Sequence, residues 1–121
     1  MRKSIYIIGV ILLLASCGQQ HQAKGVIQDF VNQYVSKPSS LSSISIVKFD
    51  STRVLSDSVI ARIRANADTI KRYSAPVKYS DRPMGRKLYV ARISYAINGT
   101  EYCDTYYLDE QISHVVAFKS N

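Results

Sequence analysis

In a chain of 121 residues with only two histidines and two cysteines, the side chains able to do chemistry are few. His21 and His114 lie far apart in sequence, and the chain contains no G-x-S-x-G, no phosphate-cradling glycine loop, no H-E-x-x-H and no C-x-x-C. A metal site built on these histidines would need carboxylates that no spacing supplies, so neither a metal nor another cofactor is expected. Asp109 and Glu110 are neighbours, and as strand residues they would point to opposite faces, so they read as turn residues rather than an acid/base pair. Cys103 has no histidine or asparagine close in sequence and reads as a small hydrophobe rather than a nucleophile. The tyrosines are more suggestive. Tyr89, Tyr95, Tyr102, Tyr106 and Tyr107 cluster in one segment, and aromatics with a polar tip suit recognition surfaces.

The other cysteine, Cys17, sits in a different context. Arg2 and Lys3 precede an apolar run from Ile5 to Ala15. At about 1.5 Å per residue that run covers roughly half of a ~30 Å hydrocarbon core, so it is too short to span a membrane. A basic start, a short apolar stretch and small residues at the exit are the features of a secretory signal peptide. Its end, Leu14-Ala15-Ser16-Cys17, resembles the lipobox of bacterial lipoproteins. The resemblance implies cleavage between Ser16 and Cys17, a diacylglycerol thioether on the Cys17 sulfur, and acylation of the new amine. At about 0.8 kcal/mol per buried CH₂, three acyl chains would hold the chain to a bilayer. Gly18, where an aspartate would favour inner-membrane retention, implies passage to the outer membrane. The stretch Gln19-Gln20-His21-Gln22 has no acidic cluster to argue for a surface-facing orientation, so the expected location is the cell envelope, facing the periplasm. Residues 1–16 are then a removed signal, 17–24 a lipidated tether and 25–121 a single domain.

Losing residues 1–16 takes Arg2 and Lys3, so basic residues fall from 16 to 14 against 9 acidic ones and the charge from +7 to +5. The remainder is uneven. Ten basic residues lie between Arg53 and Arg92 against Asp57, Asp68 and Asp81, whereas four acids face only Lys119 from Glu101 onward. This asymmetry predicts an electropositive middle third. A lipid-tethered envelope protein does not ordinarily meet nucleic acid, which leaves lipid headgroups, acidic sugars and acidic proteins as partners. The expected function is a noncatalytic binding or scaffolding module for an anionic envelope component or partner protein, carried by Arg82, Arg86 and Lys87. Tyr79 and Tyr107 are the tyrosines expected to be exposed as contacts. The alternative is a small hydrolase or sugar-binding enzyme whose site is assembled only by the fold, marked by a deep pocket gathering Asp104, His114 and tyrosines.

These residues must be positioned by a small set of elements. Val26, Ile27, Phe30, Val31 and Tyr34 recur at helical spacing and predict a helix over about 23–36, stopped at Lys37-Pro38. A strand over about 43–54 shows no clean alternation. Ser56 or Asp57 caps a second helix whose stripe Val59, Ile60, Ile63, Ala67 and Ile70 runs to about Tyr73, followed by a long loop over 74–86. Asn98-Gly99 between two strand-like runs predicts a two-residue type I′ hairpin, in which Tyr95 faces Tyr102, Ile93 faces Asp104 and Ala91 faces Tyr106. Asp104 then falls on the apolar face and requires a donor, because an unpaired buried carboxylate is costly. On the other face lie Cys103, Arg92, Glu101 and Thr105. A last strand over Ile112–Phe118 completes an α+β domain, two helices packed on one face of a small antiparallel sheet in the order α-β-α-β-β-β.

Overall fold

The computed structural model describes residues 2–35, 41–73, 77, 79 and 87–121, with residues 2–17 as backbone. Its elements are α1 (Arg2–Tyr34), β1 (Ser45–Thr52), α2 (Asp57–Ala67), β2 (Leu88–Ile97), β3 (Thr100–Leu108) and β4 (Val115–Ser120). The four strands form one antiparallel meander in the order β1-β2-β3-β4, so the domain is α+β with the order α-β-α-β-β-β. Among the described residues no helix is long and apolar enough to cross a membrane.

The β2–β3 hairpin has the predicted register, with Tyr95 opposite Tyr102, Ile93 opposite Asp104 and Ala91 opposite Tyr106. Asn98 and Gly99 have φ of 51° and 83°, the left-handed pair a type I′ turn needs. On one face Tyr89, Ala91, Ile93, Tyr95, Tyr106, Leu108 and Phe118 pack beneath Ala23, Ile27, Phe30 and Val31 of α1 and Val35 just after it. Those five recur at helical spacing and form one apolar stripe.

That stripe starts at Ala23, and the helix itself continues back through the segment 17–24 that was expected as a tether. The described residues 18–24 are helical, and Ala23 is fully buried. Gln19 Nε2 donates to the Tyr89 hydroxyl at 3.2 Å, and Gln22 Nε2 donates to the carbonyls of Gln111 and Ile112 at 3.0 and 3.1 Å. Polarity read as solvation is here used for docking, since a glutamine amide can satisfy loop carbonyls that an apolar side chain would strand.

Strand β1 lacks alternation because its pairing with β2 shifts between Ile46 and Lys48. The extra residue, Val47, is 62% exposed. Helix α2 starts where expected, with the Ser56 hydroxyl accepting from Val59 N. It ends at Ala67 rather than near Tyr73, because Ile70 N and Tyr73 N donate three residues back, to Ala67 O and Ile70 O. It lies along the free edge of β4, where Arg64 Nε donates to Val116 O at 2.7 Å and covers an otherwise open ladder group. Ala67 enters the main core, whereas Ile60 reaches the opposite sheet face and packs with Leu88, Tyr107, Val116 and Ala117. Strand β4 begins at Val115, later than predicted, because residues 109–114 form a tight turn with Ile112 at φ 53°.

Candidate functional site

Three arrangements bring chemical side chains together. In the first, Asp104 on β3 is completely buried. The Arg72 guanidinium donates to Oδ1, while the Tyr95 hydroxyl donates to Oδ2 at 2.5 Å and the Tyr73 hydroxyl at 2.9 Å. Arg72 Nε also donates to the Tyr95 hydroxyl at 2.9 Å, and Arg72 reaches Ser120 Oγ at 3.0 Å. The Tyr73 proton is committed to Asp104, so at 2.7 Å the Tyr106 hydroxyl donates to the Tyr73 oxygen. Every proton in this chain has a destination. Burial, with the Asp104 charge nearby, pushes the Tyr73, Tyr95 and Tyr106 hydroxyls far above their ordinary range. Burial opposes the Arg72 charge, but the Tyr95 hydrogen bond and Asp104 hold the guanidinium above its ordinary value. The cluster thus supplies the donors that Asp104 requires, yet its carboxylate is shut off from solvent and fully engaged. It fastens 72–73 to the sheet.

The second arrangement is Asp109, Ser113 and His114. The Ser113 hydroxyl donates to Asp109 Oδ2 at 2.6 Å, and it lies 2.9 Å from His114 Nδ1, which is itself 3.4 Å from Asp109 Oδ2. A nucleophile relay places hydroxyl and carboxylate at opposite ring nitrogens. Here both lie at Nδ1. Asp109 Oδ1 also accepts from Ser113 N and His114 N, so the carboxylate organises the β3–β4 turn. Partial burial would raise its pKa, but the Ser113 and His114 hydrogen bonds outweigh that and hold it below the ordinary value. His114 therefore does not join Asp104 and the tyrosines.

The third lies on the sheet face away from α1. Lys48 pairs with Arg92, Arg92 with Thr105, and Thr105 with Lys119, so the four residues form one straight row across all four strands. At about 4.8 Å per strand the row spans roughly 14 Å between the outer Cα atoms. It crosses an open cleft of about 350 Å³ also lined by Asp50, Ser51, Thr52, Val90, Tyr107 and Asn121. Lys48 and Arg92 are like charges directly opposite each other, an arrangement that costs a few tenths to about 1 kcal/mol. None of the row's three cations makes an ion pair among the described residues. A local rule broken in this way is expected at functional or strained sites, which makes the row a candidate site.

Of the residues expected to bind, the described ones, Lys87, Tyr79 and Tyr107, do not converge. Arg82 and Arg86 lie outside the described residues. Lys87 precedes β2, with Nζ 4.8 Å from the centre of the Tyr89 ring. Tyr107, expected to be exposed, is 8% exposed and belongs to the Ile60 cluster, because α2 covers that end of the outer face. Tyr79 is also packed rather than displayed: its ring stacks on Phe30 at 6.2 Å with the Arg64 guanidinium 4.9 Å from its centre. Burial pushes its hydroxyl well above the ordinary range. Cys103 is half-buried on the outer face, 3.6 Å from Asn121 Nδ2. No group of three or more potential metal ligands occurs among the described residues.

Lys48, Arg92 and Lys119 were not singled out by sequence reasoning. Arg92 and Thr105 were placed opposite each other on the outer face by the hairpin, and that was the available signal. Lys48 and Lys119 join them only through pairings that the bulged β1 and the late start of β4 concealed. No family model, curated protein or solved structure matches this chain.

Proposed function

We propose that this chain is a lipid-anchored envelope protein, a noncatalytic module that binds an anionic envelope component on the outer face of its sheet. The Lys48–Arg92–Thr105–Lys119 row carries the reading. Among the described residues its three cations line an open cleft and make no ion pair, and the Asp104 and Asp109 clusters are consumed by internal hydrogen bonds. The lipobox resemblance at Cys17 supports a bilayer tether and a periplasm-facing location. The binding residues named by this reading are those of the sheet row, Lys48, Arg92 and Lys119. The rival reading as a hydrolase gains nothing from the Asp104 cluster, because a fully buried, fully paired carboxylate has no path to a substrate.

The test is binding of the mature chain to solubilised envelope polymers at low and high salt, comparing wild type with Arg92→Glu. Reversing one charge of the row should weaken binding at least tenfold at low salt, and raising the salt should weaken the wild type likewise, since exposed charges are screened over about 10 Å at 0.1 M. Binding indifferent to both changes would refute the reading.

A further inference from the structure

The composition of the cleft narrows the ligand, on the premise that the row binds an anion. We infer that the ligand is an acidic oligosaccharide, a chain carrying both carboxylates and free hydroxyls, lying across the strands along the row. A compact anion could engage two neighbouring cations of a straight row, whereas an extended ligand crossing the sheet meets Lys48, Arg92 and Lys119 together.

Asp50 decides between kinds of extended anion. It sits in the same cleft, two residues beyond Lys48 along β1, opposite Val90. Its Oδ1 accepts from Ser51 N at 2.8 Å, and Oδ2 has no partner among the described residues. A carboxylate in this position repels a ligand made only of phosphates, which offers no donor in return. A hydroxylated ligand can donate to Oδ2 in place of water. The Thr105 hydroxyl and the Asn121 amide, joined at 2.9 and 3.1 Å, add a held pair of polar groups on the floor between Arg92 and Lys119. Half-buried Val90 lines the same floor and presents apolar surface to the C–H face of a sugar ring. Separated cations, a spare acceptor, fixed amide and hydroxyl groups and an apolar floor together match an acidic sugar chain better than a polyphosphate or nucleic acid.

The experiment is calorimetric titration of the mature chain with oligogalacturonate, with its methyl-esterified neutral form and with inorganic polyphosphate of matched charge, for wild type, Asp50→Asn and Lys119→Gln. Oligogalacturonate is expected to bind, and esterification to weaken it at least tenfold. Lys119→Gln should weaken it several-fold. Asp50→Asn should weaken oligogalacturonate threefold or more while tightening polyphosphate. Unchanged thermal midpoints verify that the variants are folded. If polyphosphate binds as well as or better than oligogalacturonate, or if Asp50→Asn tightens both, the acidic-sugar assignment is overturned while anion binding by the row stands. If neither probe binds wild type at low salt, the anion-binding reading falls with it.

Discussion

At the scale of single residues, Asp104 shows how a misfit becomes a fastener. The hairpin register alone puts a carboxylate opposite Ile93 on the apolar face, and the requirement for a donor follows from that. Of the three donors, Tyr95 lies on the same hairpin face, but Arg72 and Tyr73 were not legible, because they precede Asp104 by 32 and 31 residues and come from the turns after α2. Arg72→Ala removes the compensating charge from a carboxylate with no access to water, so it should cost about 3–5 kcal/mol in urea denaturation. The tyrosines predict an alkaline limit. Their hydroxyls have ordinary values of 10.0 when unfolded and far higher ones when folded. Above pH 10 the unfolded chain loses protons that the folded chain keeps, so the stability they contribute is complete below about pH 10 and declines as pH rises further. Denaturation midpoints measured from pH 8 to pH 11.5 should be flat up to about 10 and then fall, and Tyr73→Phe should make the decline shallower.

At the scale of elements, α2 shows how one short helix serves both faces of a sheet. Its Ile60 is 4% exposed and seals the far cluster, whereas Ala67 is buried in the main core. Ile60→Ala should therefore cost about 2–4 kcal/mol through lost burial and a residual cavity. Val47→Ala, at a bulge residue that points into water, should stay within about 0.5 kcal/mol. The same contrast explains what the sequence could and could not convey. Asn98-Gly99 determines its hairpin locally, through two positive φ angles that few residues tolerate, so the whole β2–β3 register could be read directly. The bulge at Val47 and the positive φ of Ile112 carry no comparable residue signature. The row of cations depends on those two irregular junctions, which is why half of it was visible as Arg92 opposite Thr105 and half was not. The turns of α1 over residues 18–22 were missed for a different reason. Glutamines pattern as solvated residues until a loop carbonyl happens to lie within their reach.

For the whole molecule, the attachment is tested at Cys17. Cys17→Ser removes the thiol that the proposed thioether needs, so the variant should fail to incorporate labelled palmitate, fail to be cut between residues 16 and 17, and lose the lipid-extractable mass of the wild type. Retained labelling would refute the proposed anchor. The docking of Gln19 onto Tyr89 then acquires a mechanical meaning. If acyl chains enter the bilayer at Cys17, the folded body begins two residues later, about 3 Å along the helix axis, leaving no slack between mooring and cargo. Such a body can tilt but cannot roam. Its catchment is a thin layer of fluid against the membrane, about one domain diameter deep, and whatever it captures must be delivered into that layer by diffusion or by growth from the bilayer itself.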